Sequence, residues 1–281
     1  MYSTLIAAAD LSAMIDVGGV RVVDCRFKLG QPAAGHEAYC TGHIPSAIYA
    51  DLESDLSTPA SSGGGRHPLP APARIVETFG RLGIASADQV VVYDDVGGMI
   101  AARAWWMLHY LGHRAAAVLN GGWQAWLADG SPVEVGARAA LVADFGGIAR
   151  RERLVTIDEI AQFGTLVDAR EPQRYRGEVE PLDLRAGHIP GARNHFFKRN
   201  LDDDGLFLDP GRLQQAFWTS LGTLPNSETV HYCGSGVSAC HNVLAQVHAG
   251  LGESRLYCGS WSEWCADPKR PVAPNNIKTL G

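Results

Sequence analysis

Four sequence signals occur twice in this 281-residue chain, in the same order and about 140 residues apart. That repetition limits the fold more than any single motif does. "VRVVDCRF" around Asp24 returns as "GTLVDAR" around Asp168, and the tetrapeptide Gly-His-Ile-Pro at 42–45 returns at 187–190. "DQVVVYDDVGGMIAARAWWMLHYLG" is answered by "ETVHYCGSGVSACHNVLAQVHAGLG", and "VLNGGWQAWLADGSPV" by "RLYCGSWSEWCADPKRPV". The period is far too long for a solenoid unit and has the size of a domain. A tandem duplication is therefore expected, with one domain over 1–135, a second over 152–281, and a linker over 136–151, where Gly and Ala follow no firm period.

Each half reads as α/β. The runs "RVVDCRF", "QVVVYDD" and "AAVLNGG", then "LVDAR", "TVHYC" and "SRLYC", carry little polar alternation, as strands of a parallel sheet buried on both faces should. Amphipathic stretches lie between them, among them "APARIVETFGRLGI" and "GRLQQAFWTSLG", several closed by glycine. The predicted architecture is a parallel sheet with helices on both faces, built twice. A formal charge of −6 argues against binding a nucleic-acid backbone, which needs surplus Lys and Arg. No apolar run nears the roughly 18 residues of a membrane span, so neither nucleic acid nor membrane is an expected partner. The six cysteines lack C-x-x-C or zinc spacing, which favours free thiols in a reducing, cytoplasmic setting and no bound metal.

One of those cysteines ends an apolar run. In an open parallel sheet ligands sit beyond the carboxyl ends of the strands, and "TVHYC" delivers Cys233 to that edge. Gly234, Ser235, Gly236, Val237 and Ser238 follow, small enough for their amides to turn inward around the sulfur, and a helix begins behind them. Inward amides and a helix N-terminus stabilise a thiolate and an anion attached to it. The alternative is a buried cysteine acting as a small apolar side chain. The duplicate supplies a control, because Asp94 stands where Cys233 stands; the scaffold does not require a thiol there. A cysteine phosphatase is disfavoured, since it needs an arginine six residues after the cysteine and position 239 is Ala.

The duplicated halves, each with its Gly-His-Ile-Pro, and the loop "CGSGVSACHN" together resemble the two-domain rhodanese-type sulfurtransferases across almost the whole chain. The loop is most similar to the 3-mercaptopyruvate form, with Ser238 in place of Thr; thiosulfate-specific members tend to carry Arg and Lys where this chain has Gly234 and Ser235. The resemblance implies that Cys233 accepts the sulfur and that Arg174, in "VDAREPQRYRG", binds the anionic donor. Mercaptopyruvate enzymes place a second arginine nine residues further on. Position 183 here is Asp, and Arg185 is the candidate substitute. A serine relay is implied on Ser235, His67 and Glu53, with Asp51 competing for the acid. His43 and His188 occur in both halves and read as structural, and Trp123, Trp126, Trp261 and Trp264 as packing.

The implied chemistry is ping-pong transfer. A small-molecule donor, 3-mercaptopyruvate or alternatively thiosulfate, leaves a persulfide on Cys233, and cyanide, a thiol or a thioredoxin-like acceptor removes the outer sulfur. No cofactor is needed. A non-enzymatic persulfide carrier serving a protein partner is the rival from another class.

Overall fold

Short β-branched runs become the strands of two parallel sheets. The computed structural model describes residues 1–60 and 63–274; the end of the expected second half, 275–281, lies outside the described residues. In the first half the strands are β1 (Leu5–Ile6), β2 (Val20–Asp24), β3 (Ile48–Tyr49), β4 (Gln89–Tyr93) and β5 (Ala116–Leu119). In the second they are β6 (Leu154–Val155), β7 (Thr165–Asp168), β8 (Arg193–Asn194), β9 (Thr229–Tyr232) and β10 (Arg255–Tyr257). The sheets run β1-β5-β4-β2-β3 and β6-β10-β9-β7-β8, the same order once each label is shifted by five. Every pairing is parallel, with Val22 opposite Val91 in one sheet and Val167 opposite His231 in the other. The edge strands β1, β3, β6 and β8 are two residues long, too short to show a pattern of their own.

The amphipathic stretches form α1 (Ala8–Val17), α2 (Ala34–Thr41), α3 (Pro72–Arg81), α4 (Ala101–Tyr110) and α5 (Gly122–Ala128), then α6 (Pro172–Tyr175), α7 (Pro210–Leu221), α8 (Ser238–His248) and α9 (Ser260–Trp264). Pro at N1 starts α3 and α7, where its missing N–H costs nothing. Asp209 caps α7 by accepting the Arg212 N–H, and Gly222 ends it in the left-handed conformation. Helices α4 and α8 are buried along most of their length and pack on β4–β5 and β9–β10. Ile6, Val22, Val91 and Trp126 centre one core, and Val155, Leu166, Val230 and Trp261 the other.

The repeated motifs hold the same joint in each half. Asp24 binds Arg26 at 2.6 Å, and Arg26 also donates to the Gly42 carbonyl at 2.7 Å while lying over Trp123. Asp168, Arg170, Gly187 and Trp261 repeat this arrangement at 2.7 and 2.6 Å. The histidines of the two Gly-His-Ile-Pro segments stack on Tyr39 and Tyr175 and bond those tyrosines' own carbonyls through Nδ1.

The chain divides into two units, but not at one point. The first holds Met1–Thr58, Pro70–Arg151 and Leu201–Phe207; the second holds Pro59–Leu69, Glu152–Asn200 and the described residues from Leu208 to Pro274. Residues 136–150 contain no helix or strand and are hydrogen-bonded along the first unit, through Arg138 to Tyr39, Ala143 to Gly80, Ile148 to Leu111 and Arg150 to Tyr110. No helix among the described residues is long and apolar enough to cross a membrane.

Candidate active site

Strand β9 is wholly buried and ends at Cys233, itself 2% exposed. Four interactions fix the turn that follows. The Cys233 N–H donates to Ser260 Oγ at 3.1 Å, its carbonyl accepts the Trp261 N–H at 3.0 Å, the Gly234 carbonyl accepts the Ser262 N–H at 2.9 Å, and the Gly236 N–H donates to the Cys233 sulfur at 3.2 Å. Geometry dictates glycine at 236, and side chains crowd the position of Gly234. Gly236 has φ +78° and a Cβ there would strike the Cys258 carbonyl, while a Cβ at Gly234 would lie 3.0 Å from the Arg66 guanidinium and 3.5 Å from that of Arg174. Val237 is buried and Ser238 starts α8.

The first-half counterpart shows what such a loop is built to surround. Asp94 points its carboxylate into the equivalent turn and accepts four backbone N–H groups, from Val96 and Gly98 on one oxygen and from Ile100 and Ala101 on the other, at 2.7–2.9 Å. Burial outweighs the four amides and leaves this carboxyl raised above its ordinary value. One half thus carries its own anion in the turn, and the other carries a thiol.

Ser260 is unusual. It sits at φ +56°, a left-handed conformation that costs a non-glycine residue of order 1–3 kcal/mol. The equivalent residue in the first half is Gly122, also at φ +56°, whose neighbour Trp123 donates to the Asp94 carbonyl as Trp261 does to Cys233. The backbone needs the conformation in both halves; only the half with the thiol places a hydroxyl on it. That hydroxyl accepts the Cys233 amide and donates to the Tyr257 carbonyl at 2.9 Å.

Of the residues singled out in the sequence, the structure brings Cys233, Gly234, Ser235, Gly236, Val237, Ser238, Arg174 and His67 together in the second unit. His67 reaches it because Pro59–Leu69 folds with that unit although it belongs to the first half of the sequence. Its Nδ1 lies 2.7 Å from Ser235 Oγ, and both residues are buried. Arg174 bonds Glu180 at 2.7 Å and Asp183 at 3.0 Å. Arg185, expected to assist it, instead donates from both terminal nitrogens to the carbonyls of Asp267 and Arg270, at 3.0 and 2.8 Å. The guanidinium beside Arg174 belongs to Arg66, which shares Asp183 with it. Glu53 is exposed in the first unit on a turn organised by Asp51, which accepts the Glu53 and Ser54 N–H groups.

Arg66, Asp183, Ser260 and Ser262 were not read as site residues from the sequence. Ser262 Oγ accepts the Arg66 N–H at 3.0 Å and anchors that segment. Only the adjacency of Arg66 to His67 hinted at its place. All six cysteines are free, and burial pushes the thiols of Cys25 and Cys265 up. No cluster of potential metal ligands occurs among the described residues.

A strand, a tight turn and a helix on a parallel sheet, built twice with a carboxylate in the first turn and a thiol in the second, define a duplicated α/β protein with a single cysteine loop. The rhodanese-like domain model matches residues 7–129 and again 154–267, so the chain belongs to the rhodanese-like family, as two tandem copies of its domain. A Pseudomonas aeruginosa protein named "Probable 3-mercaptopyruvate sulfurtransferase" is 47% identical over 276 residues, covering 96% of this chain and 97% of that protein. A Mycobacterium tuberculosis protein provisionally named a thiosulfate sulfurtransferase is 42% identical over 275 residues, covering 95% and 96%. The solved 3-mercaptopyruvate sulfurtransferase from Leishmania major superposes with a TM-score of 0.83 at 33% identity, over 94% of this chain and 74% of that one.

Proposed function

We propose that the protein is a sulfurtransferase that takes sulfur from 3-mercaptopyruvate onto Cys233 and passes it to a thiol or cyanide. In the first half-reaction the Cys233 thiolate attacks the donor sulfur. An S–S bond forms, the C–S bond breaks, and its electron pair leaves as the enolate of pyruvate, which takes a proton. In the second, the acceptor attacks the outer sulfur and the S–S bond breaks, returning the thiolate. Loop amides hold the persulfide charge, as the equivalent turn holds Asp94. Arg174 holds the donor carboxylate, and Ser235, paired with His67, conducts the proton to the departing carbon.

The observation that carries the choice of donor is the 2.7 Å contact between His67 Nδ1 and Ser235 Oγ, two residues after the nucleophile. Pyruvate enolate needs a proton and sulfite does not, so this pair has work to do only with a carbon leaving group. The thiosulfate reading is supported by the second cation, Arg66, at Gly234. The test is kcat/KM for 3-mercaptopyruvate and thiosulfate side by side in wild type and Ser235→Ala, with mass spectrometry of the donor-treated protein. Mercaptopyruvate is expected to be the better donor and to suffer more from Ser235→Ala, with one added sulfur on Cys233 and no turnover in Cys233→Ser. A wild-type preference for thiosulfate, or equal losses on both donors, would overturn the choice; added sulfur on another cysteine would overturn the mechanism.

A further inference from the structure

The cations at Gly234 are not free charges. Arg66 and Arg174 both bind Asp183, one through each carboxylate oxygen; Arg174 also binds Glu180, Glu180 binds Arg170 at 3.3 Å, and Arg170 binds Asp168. Three guanidiniums alternate with three carboxylates, so the array is formally neutral. It is also layered by exposure. The Asp183 and Glu180 side chains are 3% and 4% accessible, whereas those of Arg174 and Arg66 are 16% and 25% accessible. An anion approaching Gly234 therefore meets hydrogen-bonding guanidinium edges whose charge is already balanced from behind.

We propose that Asp183 determines which donor charge this site accepts: by cancelling one of its two accessible arginines, it makes the site a receptor for a monoanionic carboxylate and denies a dianion its extra Coulomb attraction. The inference rests on the reading that the donor's anionic group lies against Arg174. A carboxylate gains most from charge-assisted N–H donors, and the terminal nitrogens Nη2 of Arg66 and Nη1 of Arg174 beside Gly234 supply them even in a neutral array. Thiosulfate, with two charges, gains over a monoanion only from net positive potential, and Asp183 removes it. Burial, with the nearby Glu180 charge, raises the Asp183 carboxyl above its ordinary value, and the contacts to Arg66 and Arg174 oppose that rise.

Asp183→Asn preserves the shape of the side chain and leaves the array one unit positive. A unit charge roughly 7 Å from the donor, at an effective dielectric of about 50 for a solvent-open site, changes affinity about five-fold for each charge on the donor. The ratio of kcat/KM for thiosulfate to that for 3-mercaptopyruvate, measured at low salt and a pH where the mercaptopyruvate thiol is protonated, should therefore rise about five-fold in Asp183→Asn. It should stay near the wild-type value in the charge-conserving Asp183→Glu. The rise should shrink as ionic strength increases. A ratio cancels the fraction of correctly folded enzyme, so partial misfolding does not blur the result. An unchanged or lower ratio in Asp183→Asn, or the same rise in Asp183→Glu, overturns the inference and makes Asp183 only a strut for the arginines. The underlying reading fails separately, if Arg174→Ala leaves kcat/KM for both donors near normal.

Discussion

The second unit should lose stability steeply between pH 7 and pH 5, because two of its histidines are buried neutral. His195 Nε2 donates to Asn200 Oδ1 at 2.8 Å, and His231 Nε2 donates to Gln246 Oε1 at 3.0 Å. Those acceptors fix the proton on Nε2 in both rings. In each, Nδ1 is buried and has no partner among the described residues, so a second proton would create a buried N–H with nowhere to donate. Burial accordingly pushes both histidines down to about 4 from the ordinary 6.5. The unfolded chain therefore binds protons between pH 6.5 and 4 that the folded chain does not. Stability is complete above about pH 6.5 and drains away as pH falls toward 4. Each histidine contributes a loss of about 2 kcal/mol on going from pH 7 to 5, and about 3 kcal/mol over the whole window. Urea unfolding followed by a probe in the second unit, in wild type and in His195→Gln with His231→Gln, measures this. Wild type should lose about 4 kcal/mol between pH 7 and 5 from the pair, and the double variant should show a much shallower slope. An identical slope in the two proteins would refute the assignment of buried neutral imidazoles.

Two further predictions use the duplicated half as a reference. Ser260→Gly adopts the residue that the first half uses at the same φ; strain relief of ~1–2 kcal/mol should offset the lost hydroxyl bonds, leaving stability within about 1 kcal/mol of wild type. Its kcat should nevertheless fall several-fold, because the Cys233 amide loses its acceptor. Normal kcat in a stably folded Ser260→Gly would remove the hydroxyl from any positioning role. Asp94→Ala strips the acceptor from four buried N–H groups and should cost roughly 3–5 kcal/mol in denaturant unfolding. A cost below about 1 kcal/mol would mean that the turn does not depend on its internal anion.

Much of the fold was legible in the sequence because duplication, strand runs and helical periods are local patterns, and a local pattern is set by residues that are neighbours in the chain. The Cys233 loop was legible for the same reason: a cysteine after a buried run, followed by small residues and a helix, is a contiguous signal. The resemblance to a known family then supplied His67, Ser235 and Arg174, which no spacing rule would have joined. The tertiary structure decided what lies between distant residues. Arg66 and Asp183 are 117 positions apart and became partners only because Pro59–Leu69 folds into the second unit. Nothing near Asp183 in sequence distinguishes it from a surface acid, and nothing near Arg185 foretells that its donors serve the carbonyls of Asp267 and Arg270 rather than a substrate. Charges choose partners by proximity and burial, and both are properties of the folded chain. The apolar strand runs could be read residue by residue, whereas the neutral array behind Gly234 exists only where three segments of the second unit meet.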